Sequence, residues 1–360
     1  MKPAMVLLRV TMGSLAVLLA VHRPARAELD RAVLIQLSAS VLKIEVLRAQ
    51  GGFSLGSGVV VAPEHIVTNC HVTRDALKIN VLRGDVRWLA SAQQSDVKHD
   101  LCLLQVPGLR ATAVPVGRAN SLAAGQPVVA LGYTGGLGLQ MSPGDVMALH
   151  RFDGAPVIQS SNWFSSGASG GGLFDEDLRL VGILTFRLRG GEAHYFAAPA
   201  EWVQAMLDAP AAKAYADVAP EASREAPYWQ RPAAEQPAFL KAAIYQQDGR
   251  WTDLESLTTD WLHGDATDPE PWYLLGMSLA RQNRLPEARH ALECAMATQP
   301  PSAAAQARLA SVDQRLALIP LARPCGALAA SARAGSGSLP EPSSPTPVPP
   351  ADEPAPARTP

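Results

Sequence analysis

Gly56-Ser57-Gly58-Val59-Val60-Val61-Ala62, followed three residues later by Ile66-Val67-Thr68-Asn69-Cys70-His71-Val72, is the stretch on which the reading of this chain turns. Valine, isoleucine and threonine suit an extended, half-buried backbone, so both runs read as strands, with Pro63 and Glu64 marking the turn between them. A histidine comes just past the second strand. Outward from this pair, further β-rich runs occupy residues 78–82, 101–106, 127–131 and 180–186, with Gly, Pro, Asn or Asp clustered between them. No segment of helix length with a 3.6-residue period precedes Pro199, which predicts an all-β sandwich or pair of barrels. Residues 199–207 carry a helical pattern and would close that domain.

A chain of 360 residues, 48% of them hydrophobic, has material for two or three folded units. Its formal charge of -2, from 31 basic and 33 acidic residues, comes without a basic run. That argues against a nucleic-acid partner, because neutralising phosphates needs clustered Lys and Arg. Lys2, an apolar run from Val10 to Val21 and the small-x-small site Ala25-Arg26-Ala27 describe a secretory signal peptide over residues 1–27. The run falls short of the ~20 residues a bilayer-spanning helix needs, so no stable membrane span is expected after cleavage. The leader carries Lys2, Arg9, Arg23 and Arg26 and no acid, so its removal takes the formal charge from -2 to -6. The expected location is periplasmic or secreted, with abundant Ala and a preference for Arg over Lys pointing to a GC-rich bacterium.

Three pieces of the β region carry chemistry. Ser169 lies in the glycine-rich loop Ser166-Gly167-Ala168-Ser169-Gly170-Gly171-Gly172; glycine permits the dihedrals that present a hydroxyl together with bare backbone N–H groups. His71 follows a strand, and Asp100 precedes the apolar run 101–106, where a carboxylate can be half-buried beside an imidazole. A serine hydroxyl is a poor nucleophile until a base takes its proton, and the imidazole needs a carboxylate to set its tautomer and stabilise its charged form. Taken singly, each residue has an ordinary reading as a turn, a strand-end His or a solvated Asp.

The order His, Asp, Ser is that of chymotrypsin-type proteases, and the local strings resemble the bacterial branch of that family, the HtrA (Deg) proteases. The blocks 56–61 and 67–72 look like the family's GSG-strand-TNxHV signature, 99–104 like its DLAVL, and 167–173 like its GNSGGPL; 180–185 and 195–199 follow at the later positions. The resemblance runs through residues 30–210 in five collinear pieces. It implies two six-stranded β-barrels with the site in the cleft between them, Ser169 as nucleophile, His71 as general base and then acid, and Asp100 as the orienting carboxylate. The N–H groups of Gly167 and Ser169 would form the oxyanion hole. By the same analogy Trp163 is the floor of the specificity pocket and Leu184, Thr185, Phe186 and Tyr195 are its walls. Residues 157–168 contain no Asp or Glu, so the expected cleavage is after small or medium apolar residues. Ala168 replaces the Asp with which digestive relatives pair a newly cut N-terminus, and Gly172 replaces the family's usual Pro.

Cys70 and Cys102 flank the presumed triad, so either a disulfide staples the His and Asp segments or two buried thiols sit there. The eight His residues show no HExxH or paired metal spacing, and neither a metal nor another cofactor is expected.

Beyond the protease-like region (28–210), residues 211–235 are rich in Ala, Pro and charge and read as a linker. Trp272, Leu275, Gly276, Leu279, Ala288, Leu292, Ala295 and Pro300 then resemble a tetratricopeptide (TPR) repeat. A similar helix-turn-helix outline precedes it around Asp248-Gly249-Arg250, which places TPR-like helices over 236–320. Residues 321–360 form a proline-rich tail expected to be disordered. The sequence thus predicts an exported serine endopeptidase acting on polypeptides, with an all-β double barrel and an all-α module for a protein partner. A scaffold with an inactive protease fold is the second expectation.

Overall fold

The computed structural model describes residues 31–136, 138–188, 194–209, 216–217, 225–298 and 302–316. The expected signal peptide, the proline-rich tail and part of the expected linker lie outside these residues.

Strands β1 (Val41–Arg48), β2 (Phe53–Ala62), β3 (His65–Thr68), β4 (Ala76–Arg83), β5 (Val86–Leu89), β6 (Ala92–Asp96) and β7 (Leu101–Gln105) form one sheet in the order β6-β7-β3-β2-β1-β4-β5. β5 and β6 are one run of chain bent at Ala90 and Ser91, whose N–H groups donate to Ile79 and Gln105 on opposite neighbours. The run pairs with β4 at one end and β7 at the other, so six strand runs complete a barrel. A second barrel of β8 (Pro127–Gly132), β9 (Gln140–Phe152), β10 (Ala155–Ser160), β11 (Gly172–Phe174), β12 (Leu180–Leu188) and β13 (His194–Pro199) closes in the order β10-β13-β12-β11-β8-β9. A two-residue strand, β14 (Ala216–Asp217), adds to the edge of β6.

The strands read as nearly continuous apolar runs because both of their faces are buried. On β2 and β3, Val60 and Ile66 fill the first barrel while Val59, Val61 and Val67 face the neighbouring barrel; β7 splits likewise, with Leu104 inside and Leu101 and Leu103 outside. Successive side chains point to opposite faces, so each strand feeds two cores. Val128, Ala130, Leu173 and Leu184 fill the second barrel. The cluster between the barrels includes Val41, Leu131, Phe174, Phe186 and Phe196.

Two short helices depart from the all-β expectation ahead of Pro199: α1 (Arg31–Ser38) and the single turn α2 (Cys70–Thr73). His71 therefore stands on a helical turn. The predicted closing helix is α3 (Ala200–Asp208). The expected linker also needs correction. Tyr228 is fully buried in the cluster between the barrels, with its ring near those of Phe152, Phe186 and Trp202, and its N–H donates to the Lys98 carbonyl at 3.1 Å.

Five consecutive helices follow: α4 (Ala238–Gln247), α5 (Trp251–Gly264), α6 (Pro269–Arg281), α7 (Leu285–Ala297) and α8 (Ala303–Leu316). Asp268 caps α6 by accepting the Glu270 N–H at 3.0 Å, with Pro269 in the first turn. A Cβ on Gly276 would come within 2.6 Å of the Leu292 side chain, so glycine sets how closely α6 and α7 approach. No helix among the described residues is long and apolar enough to cross a membrane.

The helices rest directly on the second barrel. Phe239 and Leu240 of α4 join the cluster between the barrels. The Phe239 ring stacks on His150 of β9 at 4.6 Å, and His150 Nδ1 meets Glu270 Oε1 of α6 at 2.6 Å. Burial by itself would lower the His150 imidazole, but the Glu270 charge and hydrogen bond, helped by Gln159 and by the Asp268 charge, outweigh it and raise it above its ordinary 6.5. Burial likewise pushes the Asp268 carboxyl up, to about 6, against its capping bond and the Arg151 charge. Both groups titrate higher in the folded chain than in the unfolded one, so their stabilisation is complete at low pH and is lost as pH rises. The loss runs from about 3.8 to 6 for Asp268 and begins above about 6.5 for His150. Calorimetry across pH 5–9 should therefore show thermal stability falling toward alkaline pH, and His150→Gln should flatten the part above pH 6.5.

Candidate active site

Asp100 ends the β6–β7 turn with its N–H on the Val97 carbonyl and adopts a left-handed φ of 60°, a conformation that Asp tolerates better than most residues. It is 1% exposed. Its Oδ1 accepts the His71 backbone N–H at 2.8 Å and its Oδ2 lies 2.6 Å from His71 Nδ1. The imidazole is thus oriented by two bonds to one carboxylate, an arrangement that suits a base at Nε2. The segments are tied further through the Asp100 carbonyl, which accepts the Cys70 N–H at 3.2 Å and the Asn69 side-chain amide at 2.9 Å. Asn69 also reaches Thr185 Oγ1 of the second barrel at 3.3 Å. A disulfide joins Cys70 and Cys102, with 5.0 Å between their Cα atoms, which resolves the cysteine alternative in favour of the bridge.

Ser169 sits in the loop between β10 and β11. Two glycines there are obligatory: Gly167, at φ 95°, would bring a Cβ within 2.4 Å of the Tyr133 carbonyl, and Gly170, at φ 85°, within 2.1 Å of the Ser57 carbonyl. The Ser166 carbonyl accepts from the Gly135 N–H at 2.7 Å and the Gly167 carbonyl from Ser57 Oγ at 2.8 Å. With both carbonyls engaged, the N–H groups of Gly167 and Ser169 have no acceptor recorded among the described residues. Such amides suit a developing oxyanion. The Ser169 hydroxyl itself makes a long 3.4 Å bond to the Thr185 carbonyl, and no bond to His71 is formed among the described residues.

Ser57 is a site residue that the sequence reading missed. Its hydroxyl donates to Gly167 and accepts from the Tyr133 N–H at 2.8 Å, its N–H donates to the Ser169 carbonyl at 2.8 Å, and its carbonyl takes the Thr68 hydroxyl at 2.6 Å. The first barrel thereby holds the loop that carries the hydroxyl. The flanking glycines were the available signal, because a Cβ on Gly56 would come within 2.5 Å of the Val72 side chain and 3.2 Å of the Ser169 carbonyl.

A small cavity beside the loop is lined by Trp163, Phe164, Ala168, Leu184, Met141 and Thr134 among others, none of them charged. Trp163 and Leu184 are among the lining residues, and Trp163 is exposed at 53%. Thr185, Phe186 and Tyr195 do not line it. The β12 register shifts between Leu184 and Phe186, which turns Phe186 into the cluster between the barrels, stacked on Phe196 at 4.7 Å; Tyr195 packs behind Phe164 at 5.0 Å. Thr185 turns its hydroxyl to the Ile183 carbonyl at 2.8 Å.

Trp229, from the expected linker, was also missed. Its indole N–H donates to Asp100 Oδ2 at 3.1 Å. Burial, with the Asp100 charge adding to it, holds the adjacent Tyr228 phenol well above its ordinary range.

Residues 56–183, which include His71, Asp100 and Ser169, match the family profile of the trypsin-like peptidase domain. The chain is similar to a probable periplasmic serine endoprotease DegP-like protein of Halomonas elongata, 34% identical over 136 residues that make up 36% of this chain and 29% of that one. It is similar also to serine protease HTRA4 of Mus musculus, 32% identical over 166 residues, 43% of this chain and 34% of that one. It therefore spans about a third of the length of the curated relatives it matches. Among solved structures, an HtrA-type protease AlgW with tripeptide is 27% identical with a TM-score of 0.45, over 48% of this chain and 60% of that one.

The disulfide closes a loop with a sequence separation of 32 residues. On the loop-entropy estimate, replacing both Cys70 and Cys102 by Ser should lower stability by about 3–4 kcal/mol, measurable by urea denaturation.

Proposed function

We propose that the chain is an exported serine endopeptidase. The observation that carries this reading is the buried Asp100 carboxylate gripping His71 through both its backbone and its ring, beside a glycine-rich loop that presents Ser169 and two amides without an acceptor among the described residues. In the proposed reaction the Ser169 hydroxyl leaves the Thr185 carbonyl and gives its proton to His71 Nε2 as Oγ attacks the peptide carbonyl carbon. The resulting oxyanion is held by the N–H groups of Gly167 and Ser169. Collapse breaks the C–N bond, and the His71 proton goes to the departing amine. Water, deprotonated by His71, then attacks the acyl-enzyme, and Ser169 recovers its proton. The uncharged cavity favours small or medium apolar side chains in the substrate, since it offers a Lys or Arg nothing to offset its loss of water. The helices α4–α8 are read as a TPR-like module that docks substrate or a partner protein, a reading supported by the close α6–α7 contact at Gly276. Export to the periplasm or medium follows from the leader sequence.

The Ser169–Thr185 bond favours a second reading, a protein-binding scaffold without catalysis. The two differ in one measurement. The endopeptidase is labelled by a fluorophosphonate at neutral pH and loses the label in Ser169→Ala; a folded wild-type protein that takes no label is the scaffold. In a peptide library, hydrolysis should vanish in His71→Ala and should be at least about tenfold slower after Lys or Arg than after Val, Ala or Leu.

A further inference from the structure

The segment leading from the second barrel into α4 places an aromatic residue on the catalytic pair. Trp229 Nε1 donates to Asp100 Oδ2 at 3.1 Å, the same oxygen that lies 2.6 Å from His71 Nδ1. The indole meets the His71 imidazole edge-on at 5.7 Å and lies flat on Phe186 at 4.9 Å with 7° between the planes. Its backbone is pinned on both sides: Tyr228 is buried in the cluster between the barrels with its N–H on Lys98, and the Gln236 side chain donates to the Trp229 carbonyl at 3.3 Å.

A carboxylate held at only two points can still tilt. Here Oδ1 is taken by the His71 backbone N–H, and Oδ2 is shared between the imidazole and the indole, so the carboxylate plane is fixed by three donors. The second donor on Oδ2 also spreads its charge and moderates its pull on the imidazole. The neighbouring charges on this face, Asp96, Lys98 and Asp153, are engaged with His99 or with one another, so they do not compete for Asp100. Phe186 stacks flat beneath the indole and supports it in this orientation.

We propose that Trp229 is a positioning residue for the endopeptidase reaction: it orients the Asp100 carboxylate, and through it the His71 ring toward Ser169. The proposal rests on the serine endopeptidase reading above. Because Trp229 stands on the segment that runs directly into α4, it also makes the geometry of the catalytic pair depend on how the helical region is seated.

Two replacements in the full chain isolate the indole N–H: Trp229→Phe, and insertion at 229 of 3-benzothienylalanine, which keeps the fused rings with sulfur in place of the N–H and guards against misfolding of the smaller variant. Two measurements read the outcome in protein whose Tm matches wild type. The first is the proton NMR resonance of the His71 Nδ1–H, which needs no turnover; it should move in both variants. The second is hydrolysis of an apolar peptide substrate. There kcat should fall about tenfold with KM within about twofold, and the acid limb of the kcat/KM profile should shift to higher pH, as expected for losing one charge-assisted hydrogen bond. An unmoved resonance with unchanged kcat and acid limb overturns the proposal, and so does a loss confined to KM, which would make Trp229 a substrate contact. If wild-type protein neither labels nor hydrolyses peptide, the endopeptidase reading fails, while the resonance still decides whether Trp229 orients the pair.

Discussion

A carboxylate with 1% exposure is costly to keep ionised unless donors surround it, and Asp100 is surrounded. The His71 backbone, the His71 ring and the Trp229 indole converge on its two oxygens, while Cys70 and Asn69 take its main-chain carbonyl. Those donors come from the turn after β3 and from a segment 129 residues beyond Asp100. Satisfying one buried anion therefore dictates where α2 begins, why the residue before β7 turns left-handed, and where the chain passes on its way to the helices.

The remaining architecture keeps those donors in place. Each barrel has its own apolar centre, and a third cluster between them draws on both and extends through Tyr228 to Phe239. Strands buried on two faces cannot slip register without moving side chains from one core to the other. The loop bearing Ser169 belongs to the second barrel, yet it is held by Ser57 of the first, so the docking of the barrels sets the distance from hydroxyl to imidazole. The helical region adds its own tie through His150 and Glu270, beside the apolar cluster to which both barrels and α4 contribute.

Much of this was legible beforehand. The β runs, the closing helix and the two helix-turn-helix outlines follow from local periodicity, which needs no knowledge of neighbours. His71, Asp100 and Ser169 could be picked out as candidates because the proposed chemistry demands particular residue types beside particular glycines, and those strings are short and contiguous. The misses share one cause. Phe186 was expected in the pocket by family analogy alone, but a register shift between Leu184 and Phe186 turns it into the cluster between the barrels, and such a shift depends on the partner strand β13. Residues 225–235 belonged to the expected linker because the stretch 211–235 is rich in Ala, proline and charge, while the burial of Tyr228 depends on aromatic rings brought from Phe152, Phe186 and Trp202.

The sequence by itself determined the main strands and the longer helices, the order of the chemical groups and the glycines that permit the loop around Ser169, because backbone preference and side-chain chemistry are local properties. Only the tertiary structure decided that Cys70 and Cys102 are joined, that Ser57 holds the loop bearing Ser169, and that Trp229 rests on Asp100. Each of those is a contact across 30 or more residues, made when two barrels and a returning segment bury one charge and one shared apolar cluster together.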